Sequence, residues 1–220
     1  MSKHWAVIPV KGLTESKTRL SNYLGEKKKL FVQALLQDVL TSATRSGVYD
    51  KIIVVSPDEK VATFARDCEA DFVKQSGAGL NRAVDQANRI ALKENAHSLT
   101  TILADIPLSD PQDFREIFEM RRESRSVVLA PSLKGGTNVM LASPPRSIRA
   151  RYGRWSYSKH LREAQVGGLD VYSISNARIS FDIDTVDDLM ELRRRDPDSR
   201  TRSAKILREL RPVVSHASIR

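Results

Sequence analysis

Cysteine is almost absent from this chain, and the absence removes two classes of protein at once. Cys68 is the single cysteine in 220 residues, so there is no internal disulfide and no second thiolate around which to build a zinc site. It is expected to be a helix-packing residue. Long apolar runs are absent too: none reaches the roughly 20 residues needed to span a bilayer. The start, Met1-Ser2-Lys3-His4-Trp5, leads straight into a strand-like stretch without a signal-peptide pattern, so no membrane partner and a cytoplasmic location are expected. Aromatics are scarce at 6% and do not interleave with the basic segments as a base-stacking platform requires. That scarcity bears on the net charge of +9, which would otherwise invite a nucleic-acid partner. From residue 193 onward nine Lys or Arg stand against three acids, which leaves about +3 for the first 192 residues. Arg193, Arg194, Arg195 and Arg200 read as a solvated helix face or frayed terminus. No nucleic-acid partner is expected.

What is present is enough for one core: 40% hydrophobic and 29% charged residues, with no internal repeat, Pro-rich linker or low-complexity run to divide the chain. Strands are expected at residues 5–10, 51–56, 71–73 and 100–104, continuous in Val and Ile as strands buried on both faces tend to be. Helices are expected between them at about 26–45, 57–67 and 81–90, with Leu30, Ala34, Leu35, Val39 and Leu40 giving the first its apolar face. Such alternation predicts a mostly parallel sheet covered on both faces. After a helix at about 113–122 the pattern changes, and strands at 127–130, 138–142 and 169–174 make the sheet mixed. Helices at 156–165, 186–194 and 203–210 complete the chain. Exposed apolar positions in this second-half sheet leave a homodimer open.

Asp105 ends the apolar run Thr101-Ile102-Leu103-Ala104, where a strand points into the crevice in which open α/β sheets bind ligands. Asp182 and Asp184, in Phe181-Asp182-Ile183-Asp184, should emerge on one side of an extended segment. Three carboxylates meeting across one cleft would hold Mg²⁺, which shares its oxygen ligands with substrate phosphates; each alone also suits a turn or helix cap. The loop after the first strand supplies cations: Lys11, then Lys17 and Arg19 beyond a turn at Gly12. Neither a Walker loop nor a dinucleotide fingerprint is present. Gly77 and Gly79 stand before a helix where backbone amides could pack a base or ribose, with Asn81 the best polar candidate. Lys134-Gly135-Gly136-Thr137-Asn138 is a second glycine loop, and Arg151-Tyr152-Gly153-Arg154-Trp155-Ser156 opens a helix. Backbone amides at Thr137, Gly153 and Ser156, with a hydroxyl from Thr137 or Ser156, would suit a small phosphorylated acid. His160, one turn into that helix, reads as a packed or exposed histidine rather than a catalyst.

Taken together, Ile8-Pro9-Val10-Lys11-Gly12, Ser16-Lys17-Thr18-Arg19-Leu20, Ala104-Asp105-Ile106-Pro107-Leu108, Gly135-Gly136-Thr137-Asn138 and Asp182-Ile183-Asp184-Thr185 resemble the 2-phospho-L-lactate guanylyltransferase family over about residues 5–190. The resemblance implies a nucleotide-diphospho-sugar transferase-like, glycosyltransferase-A-like α/β fold: one nucleotidyltransferase domain at residues 1–210, with 211–220 as a basic tail. It implies transfer of GMP from GTP to 2-phospho-L-lactate, or to phosphoenolpyruvate in some relatives, with release of pyrophosphate, in coenzyme F-420 biosynthesis. It implies Mg²⁺ on Asp105, Asp182 and Asp184, the phospho-acid on Thr137, Gly153 and Ser156, and a catalytic set of Lys11, Lys17, Arg19 and Asp105. The nucleotide would lie along Lys11, Gly12, Lys17, Gly77, Gly79 and Asn81. Many nucleotidyltransferases carry a G-x-G-x-R loop after strand one; this chain departs from that pattern. The alternatives are a nucleotidyltransferase of sugar phosphates or molybdopterin and, in another class, a basic nucleic-acid-binding protein.

Overall fold

Runs of Val and Ile with no polar face must be covered on both sides, and here they form the centre of a seven-stranded sheet. A computed structural model describes residues 3–122 and 125–210; the expected basic tail at 211–220 lies outside the described residues. The strands are β1 (His4–Pro9), β2 (Lys51–Ser56), β3 (Asp71–Lys74), β4 (Ser98–Ile102), β5 (Ser126–Pro131), β6 (Thr137–Ser143) and β7 (Asp170–Ser173), in the order β3-β2-β1-β4-β6-β5-β7. β6 runs antiparallel to both β4 and β5, and every other pairing is parallel. A single domain with a mixed, mostly parallel sheet is therefore what the alternation predicted.

Two-residue periodicity sorts the core. Ala6, Ile8, Ile52 and Val54 face one layer, packed by Val32, Leu36, Val39 and Leu40 of α2 (Lys28–Ser46) and by Phe114 and Ile117 of α5 (Pro111–Glu119). Their alternates Trp5, Val7, Ile53 and Val55 face Ala83, Ala87 and Ala91 of α4 (Leu80–Lys93) on the other. α3 (Val61–Asp67) joins β2 to β3, with Cys68 half-buried at its end, and α6 (Ser156–Val166) joins β6 to β7. α7 (Val186–Arg195) and α8 (Arg202–Glu209) pack Leu189, Leu192 and Leu207 against Phe31 and Leu35 of α2.

Three differences from the expectation have local causes. The segment before α2 is not a plain loop: 3₁₀ turns at Thr18–Leu20 and Gly25–Lys27 flank the single turn α1 (Ser21–Leu24), because Leu20 and Leu24 are drawn into the cluster of Phe31 and Leu35. The second-half strands expose less apolar surface than expected: β5 is buried except at Pro131 and β6 throughout, and only Val171 and Tyr172 of the edge strand β7 are half-buried. Arg193 and Arg195 are not simply solvated. Arg193 donates to the Leu210 carbonyl at 2.8 Å, tying α7 to the end of α8, and Arg195 lies 4.5 Å from the Phe181 ring centre. Among the described residues no helix is long and apolar enough to cross a membrane.

One buried carboxylate fastens the segment that carries the later acids. Asp113, fully buried in the first turn of α5, accepts from Arg178 Nε at 2.9 Å, Asn176 Nδ2 at 2.9 Å and the Asp110 amide at 2.8 Å. Arg178 also reaches its second oxygen through Nη2. Asp113→Ala should destabilise the fold by about 2 kcal/mol, because the Asn176 side chain and the Asp110 amide lose their acceptor while half-exposed Arg178 returns to solvent. Urea unfolding measures this, and a loss under about 1 kcal/mol would assign the tie no more than a surface pair's worth.

Candidate active site

Open α/β sheets bind ligands at the carboxyl ends of their strands where the strand order reverses. Here β1 feeds its neighbours β2 on one side and β4 on the other, so the switch point lies between β1 and β4. Lys11 follows β1 and Asp105 follows β4 on its two sides. Past Lys11 the chain doubles back: the Gly12 carbonyl accepts from the Glu15 and Ser16 amides at 3.1 and 3.0 Å. That turn delivers Lys17 in the left-handed region at φ 53°, which a non-glycine residue holds at a cost of about 1–3 kcal/mol and only when its surroundings fix it.

Lys17 is fixed by two acids 79 residues apart in sequence. Its ammonium lies 2.6 Å from Asp105 Oδ2 and 2.9 Å from Asp184 Oδ1, and the two segments also meet through their backbones, Ile183 N–H donating to the Asp105 carbonyl at 3.0 Å. The strand-like alternation of 181–184 holds: Phe181 and Ile183 are buried beneath α2, α7 and α8, while Asp182 and Asp184 share Lys134 on the opposite side at 3.9 and 3.7 Å. Burial alone would lower the Lys17 pKa, but Asp105 and Asp184 outweigh it and raise it. Asp184 answers in kind: burial pushes it up, and Lys17 overrides that to hold it at about 2. Asp182 goes the other way. Burial, reinforced by the charge of Asp105, raises it to about 7.

Among the described residues no group of three or more His, Cys, Asp or Glu forms a set that could hold a metal ion as the side chains stand. The reason is visible in the geometry, since lysine ammonium groups occupy the space between the carboxylates. The donor set nevertheless suits a hard divalent cation: Asp105 Oδ1 and Asp182 Oδ1 are both buried without a hydrogen-bond partner. Unpaired buried carboxylate oxygens are costly unless something cationic can satisfy them.

The acids open onto a cleft of about 990 Å³ whose walls include Lys11, Lys17, Arg19, Gly77, Gly79, Gly153, Asp105 and Asp184. Gly79 stands before α4 at φ 94°, a conformation closed to other residues, and its carbonyl accepts from Gln75 Nε2 at 3.0 Å. Two expected nucleotide residues fall outside these walls. Gly12 lines a smaller neighbouring cavity of about 240 Å³ with Asp58 and Lys60. Asn81 has its amide engaged on both ends, donating to the Tyr152 carbonyl at 3.1 Å and accepting from the Tyr152 amide at 2.7 Å. It holds the loop before α6 rather than facing the cleft.

Of that loop Gly153 reaches the cleft wall, and the 134–137 glycine turn packs against the start of α6. Gly135 has φ 79°, and a Cβ there would stand 2.7 Å from the Trp155 ring, so the turn lies directly against the start of α6. Thr137 and Ser156 come together as expected, Ser156 Oγ donating to Thr137 Oγ1 at 3.4 Å. The amides of α6 are less available than expected: Ser156 N donates to the Gly153 carbonyl at 3.1 Å and Tyr157 N to the Gly135 carbonyl at 3.3 Å. Gly153 is therefore the one expected acid-site residue on the cleft wall; Thr137 and Ser156, 1% and 2% exposed, are buried and fall outside these walls. His160 is fully buried, as a packed histidine, with Nδ1 2.9 Å from Thr137 Oγ1.

A family model described as guanylyl transferase CofC like matches residues 4–218. The chain belongs to the CofC-like guanylyl transferase family. It is 33% identical to a phosphoenolpyruvate guanylyltransferase of Rubrobacter xylanophilus over 189 residues, 86% of this chain and 92% of that protein. It is 34% identical to a 2-phospho-L-lactate guanylyltransferase of Methanocaldococcus jannaschii, over 84% of this chain and 80% of that one. A nucleotide-diphospho-sugar transferase structure from Desulfovibrio desulfuricans G20 superposes with a TM-score of 0.78 at 20% identity, covering 95% of both chains. A Methanothermobacter nucleotidyl transferase does so at 0.67 and 17%, covering 90% of this chain and all of that one. At those identities the structures speak for the fold, which is that of the nucleotide-diphospho-sugar transferases.

Sequence reasoning missed two residues in this CofC-like site. Lys134, seen only as part of a glycine loop, is 2.7 Å from Asp188 and donates to the Asp182 carbonyl at 3.4 Å. Asp188, which reads as an ordinary first-turn acid of α7, also accepts from the Asp184 and Thr185 amides at 2.8 and 2.7 Å. Together they clamp the acidic segment to the glycine loop. The one available signal was Thr185 three residues before Asp188, a capping box.

Burial, with a smaller effect from Lys159, lowers the His160 pKa from 6.5 to about 4. Between those values the unfolded imidazole binds a proton that the folded one refuses. Its contribution to stability is therefore full above pH about 6.5 and is lost as pH falls towards 4. His160→Phe should flatten the acid limb of the stability curve by on the order of 2 kcal/mol between pH 7 and 4 relative to wild type. Parallel curves in chemical denaturation would mean that His160 takes up its proton as readily folded as unfolded.

Proposed function

We propose that this chain transfers GMP from GTP to a three-carbon phosphorylated acid, 2-phospho-L-lactate or phosphoenolpyruvate, releasing pyrophosphate, in coenzyme F-420 biosynthesis. The observation that carries the reading is the joining of Asp105 to the Asp182–Asp184 segment in one large cleft, in a family whose relatives bear both substrate names.

In that reaction an oxygen of the acceptor phosphate forms a bond to the α-phosphorus of GTP while the bond from that phosphorus to the bridging oxygen of pyrophosphate breaks. Two anions must approach, so the protein has to supply positive charge and alignment. Lys11, Lys17 and Arg19 lie on the cleft wall nearest the switch point and neutralise the triphosphate and the departing pyrophosphate. Asp105, Asp182 and Asp184 would hold a Mg²⁺ ion, with the orphaned oxygens of Asp105 and Asp182 as the donors that fit it. When bound, that ion supplies charge neutralisation at the phosphates. Lys17 then exchanges its carboxylate partners for phosphate oxygens, so one ammonium serves both states. Lys134 keeps the acidic segment against the glycine loop while this happens. Gly153, held by the Ser156 amide, receives the acid across the cleft. No general base is required, because a phosphate monoester with a second pKa of about 6 is mostly dianionic at neutral pH.

Pyrophosphate release should appear with GTP, Mg²⁺ and one of the two acids, and not with sugar phosphates in their place. Asp105→Asn should fold normally and lose at least about 100-fold in kcat, the scale of removing one preorganised electrostatic group. Near-normal turnover of that variant at saturating Mg²⁺ would remove Asp105 from the reaction. Turnover with sugar phosphates alone would replace the acceptor.

A further inference from the structure

One stretch of the cleft wall has no part in the phosphate chemistry above. Beyond the end of β3 the wall is made by Gln75, Gly77, Ala78, Gly79, Leu80 and Ala83, none of them charged. The charged groups of the same cleft stand elsewhere: Lys11 and Lys17 follow β1, and Asp105 follows β4. β2 lies between β1 and β3, so the neutral stretch is two strand spacings, about 10 Å, from the phosphate end, roughly the span of a nucleoside. A neutral ring suits it better than an anionic acid, whose charge would find no partner there. At Gly79 an added Cβ would meet nothing within 4 Å, so the backbone at that point is open to a flat ligand.

Gln75 is the one polar side chain of this stretch, and its amide has a fixed sense. Nε2 donates to the Gly79 carbonyl at 3.0 Å. Only the nitrogen can donate to a carbonyl, so Oε1 is the other end, an acceptor without a partner among the described residues. The backbone is held as firmly. Gln75 N–H donates to the Ser56 carbonyl at 2.9 Å, and Gln86 of α4 clasps both flanking residues, accepting from the Ser76 amide at 2.7 Å and donating to the Lys74 carbonyl at 2.9 Å. Guanine presents a donor, N1–H, at the centre of its pairing edge, where adenine presents a lone pair. We infer that Gln75 is the base-selecting residue of the cleft, its Oε1 accepting from N1–H of guanine. Adenine at the same point would set one lone pair against another, and a site built to pair a polar group discriminates strongly against a ligand that leaves it unpaired. The inference rests on the reading of the chain as a GTP-using enzyme, and it adds the group that tells GTP from ATP.

Nucleotide binding tests this without any acceptor acid. In calorimetry with Mg²⁺, wild-type protein should bind GTP at least about tenfold more tightly than ATP, the scale of one donor left unpaired. ITP, which keeps N1–H, should follow GTP, and N1-methyl-GTP, which lacks it, should fall to the level of ATP. Gln75→Leu keeps the bulk of the side chain and removes the acceptor. It should weaken GTP about tenfold and leave ATP and N1-methyl-GTP within about twofold, the non-additivity of a single shared contact, which a disturbed loop does not produce. Equal losses for GTP and ATP in Gln75→Leu would overturn the inference. So would wild-type protein that binds ATP or N1-methyl-GTP as tightly as GTP, or that binds ITP no better than ATP, and these comparisons decide by themselves should the variant not fold. Wild-type protein that ranks the nucleotides as stated but releases no pyrophosphate with either acid would instead count against the functional reading.

Discussion

The ammonium of Lys17 lies between Asp105 and Asp184, 2.6 and 2.9 Å away, and the arrangement of the cleft depends on that contact. Carboxylates brought into one cleft repel each other, by about 4 kcal/mol for two unit charges 4 Å apart at an effective dielectric of 20. Such a cluster persists only if cations lie among its members. Lys17 does this from the β1 side and Lys134 from the β5–β6 side. The effect is selective: Lys17 outweighs burial and lowers the pKa of Asp184, whereas burial, reinforced by the charge of Asp105, raises that of Asp182. Under the proposed function, these lysines would give up their carboxylate partners to a divalent cation and to phosphates.

Everything that makes this contact possible comes from topology. β1 and β4 are neighbours whose connections lead to opposite sides, which opens a crevice at their carboxyl ends. The segment 176–184 then crosses those ends, fastened by Asn138 Nδ2 to the Ile179 carbonyl at 2.8 Å and by the Ile183 amide to Asp105. Phe181 and Ile183 anchor it from below. The acids are thus held by apolar burial on the reverse face of the same four residues, which couples the stability of the α2, α7 and α8 cluster to the geometry of the site.

The fold was legible because its signals are local: continuous Val and Ile runs for β1 and β2, period-2 alternation at 181–184, and helical spacing in α2 and α4. Asp105, Asp182 and Asp184 could be paired in advance because a strand end and an alternating pair of acids both point into the crevice of an open sheet, although each alone also suits a cap. Features set by distant neighbours were not legible. Asn81 looked like a ligand for a nucleotide, since nothing in its own segment announces that Tyr152 will engage both ends of its amide. Lys134 was seen only as part of a glycine loop because its partners are some 50 residues away. The arginines of α7 looked solvated, yet Arg195 covers Phe181 and Arg193 holds α8. The expected exposure of apolar positions in β5 and β6 failed for the same reason, as those strands are packed by elements distant in sequence.

The most direct test is a crystal structure with Mn²⁺ in place of Mg²⁺ and a non-hydrolysable GTP analogue, with the metal located by its anomalous scattering. The account predicts a metal bound by Asp105 with Asp182 or Asp184, and the Lys17 ammonium turned from those carboxylates to the phosphates. A nucleotide bound in the cleft with Lys17 still bridging Asp105 and Asp184, and the metal elsewhere, would contradict it.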